Sequence, residues 1–374
     1  MNTRSDRHTM RVVIAGGGTG GHLFPGIAVA EEFCARNPEN SILFVGPGRP
    51  FEVSTVSEKG FAHERITAEG FKGRGIKNQL VAMLKIPIGV MQSVLILKAF
   101  KPHLVMGVGG YSAGPLVIGA WLLRIKIVLH EQNILPGITN RMLFRFANRI
   151  YVSFPKTKFD GAIEKMRLTG DPVRKEIVQC AKQQNSAGVQ STRTETVFSI
   201  MILGGSQGAH RINMTILEAL EHLENKDKMF FAHQTGVQDE AQVRQKYDEY
   251  GMASDVKAFF KDMDRQYQKA DLIICRAGAT TVAEISAMGK GVIFIPFPFA
   301  ADNHQVMNAQ ALVSAGAAEM IEEKDLSAKI LAQRINYYAR HPETLRQMGA
   351  RCKKFGRVDA AAVIVDDCYD LISK

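Results

Sequence analysis

A strand, a glycine-rich turn and the start of a helix follow one another in Val12-Val13-Ile14-Ala15-Gly16-Gly17-Gly18-Thr19-Gly20-Gly21-His22, which leads into the apolar stretch 23–33. Glycines let a backbone approach a ligand closely, and a helix N-terminus presents free N–H groups at the positive end of its dipole. The segment therefore predicts a strand-turn-helix unit that binds an oxyanion or a sugar.

The same arrangement returns in the second half, at Ile202-Leu203-Gly204-Gly205-Ser206-Gln207-Gly208-Ala209. Short runs rich in β-branched residues alternate with helical patterns along the whole chain, which indicates parallel strands covered by helices. The predicted strands are 11–15, 42–45, 104–106, 127–129, 197–203, 229–232, 271–275 and 292–295. At 374 residues the chain is long enough for two α/β domains.

The domain boundary is expected at Gly170-Asp171-Pro172, because a residue before proline disfavours helix and the polar stretch 183–196 follows. This predicts a first domain over residues 1–170 and a second over 171–354. The last residues, about 355–374, are helical by pattern, and the pattern allows them to pack on either domain.

Lys and Arg exceed Asp and Glu by 47 − 37 = 10, which favours anionic partners. No Lys/Arg block is interleaved with aromatic residues, so no nucleic acid partner is expected. The N-terminus lacks the apolar core of a secretory signal, and the apolar run 86–97 contains Pro87 and Gly89 and is shorter than the roughly 20 residues of a membrane span. We expect a cytoplasmic protein without a transmembrane helix.

His22 stands beside the first glycine turn, where an imidazole can take a proton from an attacking hydroxyl near neutral pH. A helix-capping or supporting histidine is the alternative. Gly16, Gly18 and Gly21 also fit G-x-G-x-x-G, so a nicotinamide-dependent oxidoreductase has to be considered. The second strand ends Val45-Gly46-Pro47-Gly48, without the carboxylate that would hold an adenosine ribose, which counts against a dinucleotide.

In the second half, Ser206 and the N–H groups after it could hold a diphosphate. Glu284 lies one turn into a helix that begins among small residues, where a carboxylate can accept hydrogen bonds from both ribose hydroxyls. Asp302 and Gln305 have capping-box spacing, and their carboxylate and amide groups also suit sugar hydroxyls.

Taken together, these segments resemble the MurG family, the UDP-N-acetylglucosamine transferases of lipid-linked peptidoglycan synthesis, over almost the whole chain. The most specific matches are Gly17-Gly18-Thr19-Gly20-Gly21-His22, Gly107-Val108-Gly109-Gly110-Tyr111, His130-Glu131-Gln132-Asn133, Gly204-Gly205-Ser206-Gln207-Gly208-Ala209 and Arg276-Ala277-Gly278-Ala279. The resemblance implies a GT-B architecture of two Rossmann-like domains with parallel sheets facing across a cleft. It also implies that the C-terminal helix packs back on the first, acceptor-binding and membrane-facing domain.

By the same resemblance, UDP-N-acetylglucosamine binds mainly to the second domain. Phe260 then holds uracil through its backbone, Glu284 holds the ribose, Ser206 and Arg174 lie near the diphosphate, and Gln305 with Asp302 holds the sugar. Further donor contacts are implied for Ala279, Thr280, Thr281, Val282 and Ala283 in the second domain and for Thr19, Gly20, Gly21 and Asn133 in the first. Near the acceptor the resemblance implies His22, Tyr111, Glu131 and Asn133, whereas Phe299 stands where relatives often have a polar residue and receives no role.

The reaction so implied is a direct, inverting displacement at the anomeric carbon by the muramyl 4-hydroxyl of a polyprenyl-linked muramyl-pentapeptide. His22 is the first choice of base and Glu131 the second. Other glycosyltransferases stabilise the departing diphosphate with an Asp-x-Asp metal site, and this chain is expected to lack that motif. A helix N-terminus and Arg174 take its place, so no metal and no cofactor are expected. The alternatives are a diacylglycerol-directed transferase, the oxidoreductase, and a non-catalytic nucleotide-sugar sensor.

Because the acceptor's polyprenyl tail stays in the bilayer, the first domain should bind the cytoplasmic face of the inner membrane. Residues 71–91 combine apolar positions at helical spacing with Lys72, Arg74, Lys77 and Lys85, which would meet anionic headgroups. A helix buried against the sheet is the alternative for this segment.

Overall fold

The computed structural model describes residues 8–17, 20–69, 76–159, 161–186, 197–205 and 208–373, with backbone alone at 76–84 and 185–186. Contacts divide the chain into two units. The first comprises Met1–Lys175 together with Asp359–Lys374, and the second comprises Glu176–Val358.

In the first unit the described residues form a parallel seven-stranded sheet. Its strands are β1 (Arg11–Ala15), β2 (Ser41–Gly46), β3 (Ala62–Arg65), β4 (Leu104–Gly107), β5 (Lys126–Glu131), β6 (Arg149–Val152) and β7 (Met166–Leu168). They lie in the order β3-β2-β1-β4-β5-β6-β7. The central strands are buried, which is why they read as continuous apolar runs.

Helices cover this sheet. They are α1 (Gly20–Arg36), α2 (Pro50–Glu58), α3 (Ile76–Phe100), α4 (Ala113–Leu122), α5 (Ile138–Leu143) and the C-terminal α14 (Ala360–Ile372). Helix α14 belongs to this unit because its apolar face, including Ile364 and Cys368, shares one core with β1 and α1. The Asn40 amide also donates to Tyr369 Oη (2.7 Å), and Tyr151 Oη donates to Asp367 (2.8 Å).

In the second unit the described residues form a parallel six-stranded sheet in the order β10-β9-β8-β11-β12-β13. The strands are β8 (Phe198–Leu203), β9 (Met229–Gln234), β10 (Ala253–Lys257), β11 (Leu272–Cys275), β12 (Gly291–Phe294) and β13 (Glu319–Met320). The helices are α6 (Lys175–Ser186), α7 (His210–Ala219), α8 (Glu240–Glu249), α9 (Met263–Lys269), α10 (Ala279–Met288), α11 (His304–Val313), α12 (Ala328–Arg340) and α13 (Pro342–Lys353).

The predicted α/β class with two parallel sheets is confirmed, and each predicted strand is present within a few residues of its expected bounds. The apolar run 86–97 lies in α3, which continues through both Pro87 and Gly89. A proline inside a helix removes one hydrogen bond but does not always end it. Among the described residues, no helix combines the length and apolarity that crossing a membrane requires.

Candidate functional site

Those predicted site residues that the structure describes lie at the carboxyl edges of the two sheets. In a doubly wound sheet, ligands bind outside the carboxyl ends of the strands, where the strand order reverses. In the first unit that point falls between β1 and β4, and in the second it falls between β8 and β11. The turns after β1 and β4, and those after β8 and β11, are the glycine-containing segments of the sequence motifs.

His22 lies in the first turn of α1, where it is half-buried. Its imidazole packs on Gly109, which follows β4 with φ 90°: a Cβ added to Gly109 would stand 3.0 Å from both Cε1 and Nδ1 of His22. Only glycine fits this position, because it tolerates the positive φ and leaves room for the ring. The two motif segments after β1 and β4 therefore meet at His22.

His130 is fully buried in β5, near His22. Burial lowers the pKa of His130 to about 4, the contact with Gly170 O raises it in part, and the nearby His22 lowers it. His130 is thus neutral at physiological pH.

Glu131, the last residue of β5, uses both carboxylate oxygens within its own loop. Oε1 accepts from the Asn133 N–H (3.0 Å), and Oε2 accepts from the Gly137 N–H (3.0 Å) and the Asn140 amide (2.8 Å). Burial raises the pKa of Glu131, while these hydrogen bonds oppose the rise. The arrangement is that of a carboxylate that shapes the loop carrying Asn133.

The other predicted first-domain residues lie around the same edge. The Arg49 guanidinium is 5.7 Å from the centre of the Tyr111 ring, and the Arg174 guanidinium is 4.8 Å from that of Phe24, one turn after Gly20 and Gly21. Thr19 lies outside the described residues.

Glu52, which the sequence reading did not single out, approaches the first glycine turn from α2. It is 2% exposed, and its Oε1 lies 3.1 Å from His63 Nε2. A Cβ on Gly17 or Gly46 would overlap its carboxylate. A carboxylate does therefore stand at the end of β2, but it is buried and engaged with His63, unlike one that holds an adenosine ribose.

In the second unit, Gln234 connects two of the predicted donor-binding loops. This last residue of β9 is 3% exposed; its Nε2 donates to Gly205 O (3.2 Å) and its Oε1 accepts from the Phe260 N–H (3.0 Å). Gly205 lies in the turn after β8, and Phe260 lies after β10. Gln234 was missed because only the strand order brings these segments together.

Glu284 is buried at 2% exposure on the second turn of α10, and Tyr267 Oη donates to its Oε2 (3.0 Å). Tyr267 comes from α9 and was also missed. Helix α10 begins after Gly278, so its N-terminal dipole lies at the switch point. The remaining predicted positions occupy its first turns: Ala279, Thr280, Thr281, Val282 and Ala283. Ser206 lies outside the described residues.

The predicted capping box before α11 is wrong. The residue before the helix is Asn303, with φ 54° and no capping bond from its side chain, and Asp302 also has a positive φ of 53°. Gln305 Oε1 instead accepts from the Phe297 N–H (3.0 Å), which joins α11 to the loop after β12. Consecutive left-handed non-glycine residues store strain of the kind found at ligand sites.

Asp262-Met263-Asp264 has the Asp-x-Asp spacing of metal-dependent glycosyltransferases, so the expectation that the chain lacks this motif is wrong. In the structure, Asp262 accepts from the Gln266 amide (3.2 Å) at the start of α9. Within the described ranges, no three His, Cys, Asp or Glu side chains gather in a way that could hold a metal ion.

Comparison with known proteins agrees with this geometry. Residues 12–152 match the glycosyltransferase family 28 N-terminal domain, and residues 199–364 match the glycosyltransferase family 28 C-terminal domain. The matched ranges contain both switch points.

Curated relatives are similar over nearly the full length. The chain is 46% identical to the UDP-N-acetylglucosamine–N-acetylmuramyl-(pentapeptide) pyrophosphoryl-undecaprenol N-acetylglucosamine transferase of Citrifermentans bemidjiense, over 95% of this chain and 98% of the relative. It is 44% identical to the protein of the same name from Syntrophus aciditrophicus, over 97% and 99%. The crystal structure of Acinetobacter baumannii MurG superposes with a TM-score of 0.75 at 28% identity, over 97% of this chain and 99% of that one.

Proposed function

This chain belongs to the MurG family of UDP-N-acetylglucosamine–N-acetylmuramyl-(pentapeptide) pyrophosphoryl-undecaprenol N-acetylglucosamine transferases, and from that premise we propose how its residues carry out the reaction. It is a hexosyltransferase with a GT-B fold. It transfers N-acetylglucosamine from UDP-N-acetylglucosamine to the lipid-linked muramyl-pentapeptide in peptidoglycan synthesis. The observation that carries this assignment is the 46% identity over 95% of the chain.

We assign the donor to the carboxyl edge of the second sheet. Glu284 accepts the ribose hydroxyls, and its contact with Tyr267 holds the carboxylate in place for them. The Phe260 N–H is already bound to Gln234, so we assign uracil recognition to the Phe260 carbonyl. The Gln305 Oε1 holds the Phe297 N–H, so the Gln305 amide NH₂ is the group proposed for the sugar hydroxyls.

The departing diphosphate needs positive potential that is in place before the bond breaks. We assign this to the turn at Gly205 and Ser206 and to the N-terminus of α10, with Arg174 as the proposed cation. Thr19, Gly20, Gly21 and Asn133 stay predicted donor contacts from the first domain.

We propose His22 as the base. The acceptor 4-hydroxyl attacks the anomeric carbon, its proton passes to His22, and the bond to the diphosphate oxygen breaks as UDP leaves with the electron pair. Direct displacement inverts the anomeric configuration. Glu131 is the weaker candidate for the base because its carboxylate oxygens already accept hydrogen bonds within the loop of Asn133. Tyr111 is proposed to contact the acceptor.

A transfer assay tests the acceptor class. Radiolabelled UDP-N-acetylglucosamine is offered with polyprenyl-linked muramyl-pentapeptide or with diacylglycerol, and label is expected in the muramyl lipid alone. Label in diacylglycerol alone would overturn the assignment.

We also propose that the first domain binds an anionic membrane surface at the cytoplasmic face of the inner membrane. Residues 71–75 and the side chains of 76–84 lie outside the described residues; of the rest of that segment, Met91 is 59% exposed and Lys85 pairs with Glu69. A second surface supports the proposal. Its exposed apolar side chains, on α4 and the adjoining α5, are Trp121, Leu122, Ile138 and Met142. Its exposed basic residues are Arg124, Arg141 and Arg145.

Apolar insertion and basic headgroup contacts act together in peripheral attachment. The double substitution Trp121→Ser with Met142→Ser should therefore reduce cosedimentation with vesicles that contain anionic lipid. Ile330→Ser, at an exposed apolar position of the second unit, is the control. Equal cosedimentation of both variants would contradict attachment through this surface.

A further inference from the structure

Gln132 follows β5 at 2% exposure, and its amide can take one orientation only. Nε2 donates to Val108 O (2.7 Å) and lies 3.2 Å from His130 Nδ1. A flipped amide would direct Oε1 at the Val108 carbonyl oxygen, where two acceptors would repel each other. Oε1 therefore points away from this pair.

The protonation of His130 agrees with that orientation. His130 Nε2 lies 3.3 Å from Gly170 O, and a carbonyl oxygen can only accept. The neutral ring thus carries its proton on Nε2 and leaves a lone pair on Nδ1 for the Gln132 amide. The chain of donors runs from Gln132 through His130 to Gly170.

The Gln132 Oε1 lies on the His22 side of this series of hydrogen bonds. It is buried, and it has no hydrogen-bond partner in the part of the chain that the structure describes. A Cβ on Gly109 would stand 3.5 Å from this oxygen and 3.0 Å from His22 Nδ1, so both atoms crowd the same glycine. A buried acceptor thus stands close to a ring nitrogen that can donate.

We infer that Gln132 is a positioning residue for His22: the two atoms do not bond to each other in this structure, and a small side-chain rotation lets Gln132 Oε1 accept a hydrogen bond from His22 Nδ1–H. This bond holds the tautomer whose Nε2 carries the lone pair, the form that can take a proton from the acceptor hydroxyl. As that proton arrives, the imidazole becomes a cation and the Nδ1–H bond strengthens, because charge-assisted hydrogen bonds are stronger than neutral ones. The inference rests on the proposed role of His22 as the base.

A double-mutant cycle on the full-length enzyme tests this inference, since residues that act as one unit are not additive. Gln132→Met should lower kcat about 10- to 100-fold, less than the loss of the base itself, and change the KM for UDP-N-acetylglucosamine less than about twofold. In a His22→Ala background the same substitution should change kcat by less than about twofold. An equal loss in both backgrounds would overturn the role of Gln132 while leaving His22 as the base. Full turnover by His22→Ala would instead overturn the base and this inference together.

Gln234→Met is the matched control, because it replaces another buried glutamine at a strand end that contacts a different loop. In the double variant, the fold-losses in kcat/KM caused by Gln234→Met and by His22→Ala should multiply. A second measurement does not depend on activity or on the variants' stability. The wild-type enzyme is labelled with ¹⁵N-histidine, and the His22 signals are assigned by their loss in His22→Ala. At a pH where the imidazole is neutral, Nδ1 should carry the proton and Nε2 the lone pair. Protonated Nε2 would overturn the inference.

Discussion

Replacing Gln234 by Met keeps the side-chain volume but removes the bridge between Gly205 O and the Phe260 N–H. The buried Phe260 N–H then loses its partner, whereas the carbonyl of the exposed Gly205 can accept a hydrogen bond from water. A buried unpaired group costs about 1–3 kcal/mol, so we expect the free energy of unfolding to fall by about that amount.

Affinity for the donor should fall as well. Without the bridge, the loops after β8 and β10 have to be ordered when UDP binds. Fixing one backbone residue costs about 1–2 kcal/mol, so the Kd for UDP should rise on the order of tenfold.

Urea unfolding and calorimetric titration with UDP measure the two effects separately. Asn336→Leu is the matched control, because Asn336 is also a buried amide that bridges two backbone groups: it accepts from the Glu224 N–H and donates to His222 O, each at 3.1 Å. It lies near Phe198 and Met229, the first residues of β8 and β9, at the end of the sheet away from Gln234. Asn336→Leu should lose similar stability and keep wild-type affinity for UDP. Equal affinities in the two variants would refute the link between Gln234 and donor binding.

Three further predictions address other residues. Glu284→Ala should weaken UDP about 100-fold in calorimetry and abolish the preference for UDP over 2′-deoxy-UDP, because each hydrogen bond to a carboxylate contributes about 1.5–3 kcal/mol; a preference that survives the substitution would rule out ribose binding by Glu284. Gly109→Ala should lower kcat at least tenfold, since its Cβ displaces the His22 ring and general-base catalysis is worth about 10²–10⁴-fold, and wild-type turnover would disprove that contact. Burial lowers the pKa of His233 to about 3. Between this pH and about 6.5, His233 is therefore protonated in the unfolded chain and neutral in the folded protein. Stability from this group is complete above about pH 6.5 and is lost as pH falls towards 3. The wild type should lose about 2 kcal/mol more than His233→Gln between pH 6.5 and 5 in urea unfolding; parallel losses would contradict a neutral His233.

The strands that sequence analysis recovered are the central ones, such as Val12–Ala15 of β1 and Ile200–Leu203 of β8, which are buried on both faces and therefore uniformly apolar. It missed the edge strands β3, β7, β10 and β13, as well as β6. Residues 62–65 read Ala-His-Glu-Arg, and 253–257 read Ala-Ser-Asp-Val-Lys. An edge strand is partly solvated, so pairing with its neighbour, rather than its own composition, makes it a strand.

The site shows the same division. Local patterns singled out His22 and Glu284, because glycine turns and strand ends are local features, whereas Glu131 was implied by the family resemblance alone. Local patterns could not identify Gln132, Gln234 or Tyr267, whose partners belong to other strands or helices.

Local sequence therefore determined the two α/β units, their glycine turns and the residues at each turn, because strand and turn formation depend on neighbouring residues. The local pattern of α14 left open which domain it packs on, and the tertiary structure shows that it shares a core with α1. The tertiary structure alone decided that Glu52 reaches the first turn and that Gln132 lies near His22. These contacts follow from strand order and helix packing, which bring together residues tens to hundreds of positions apart, and no local pattern in the chain encodes that proximity.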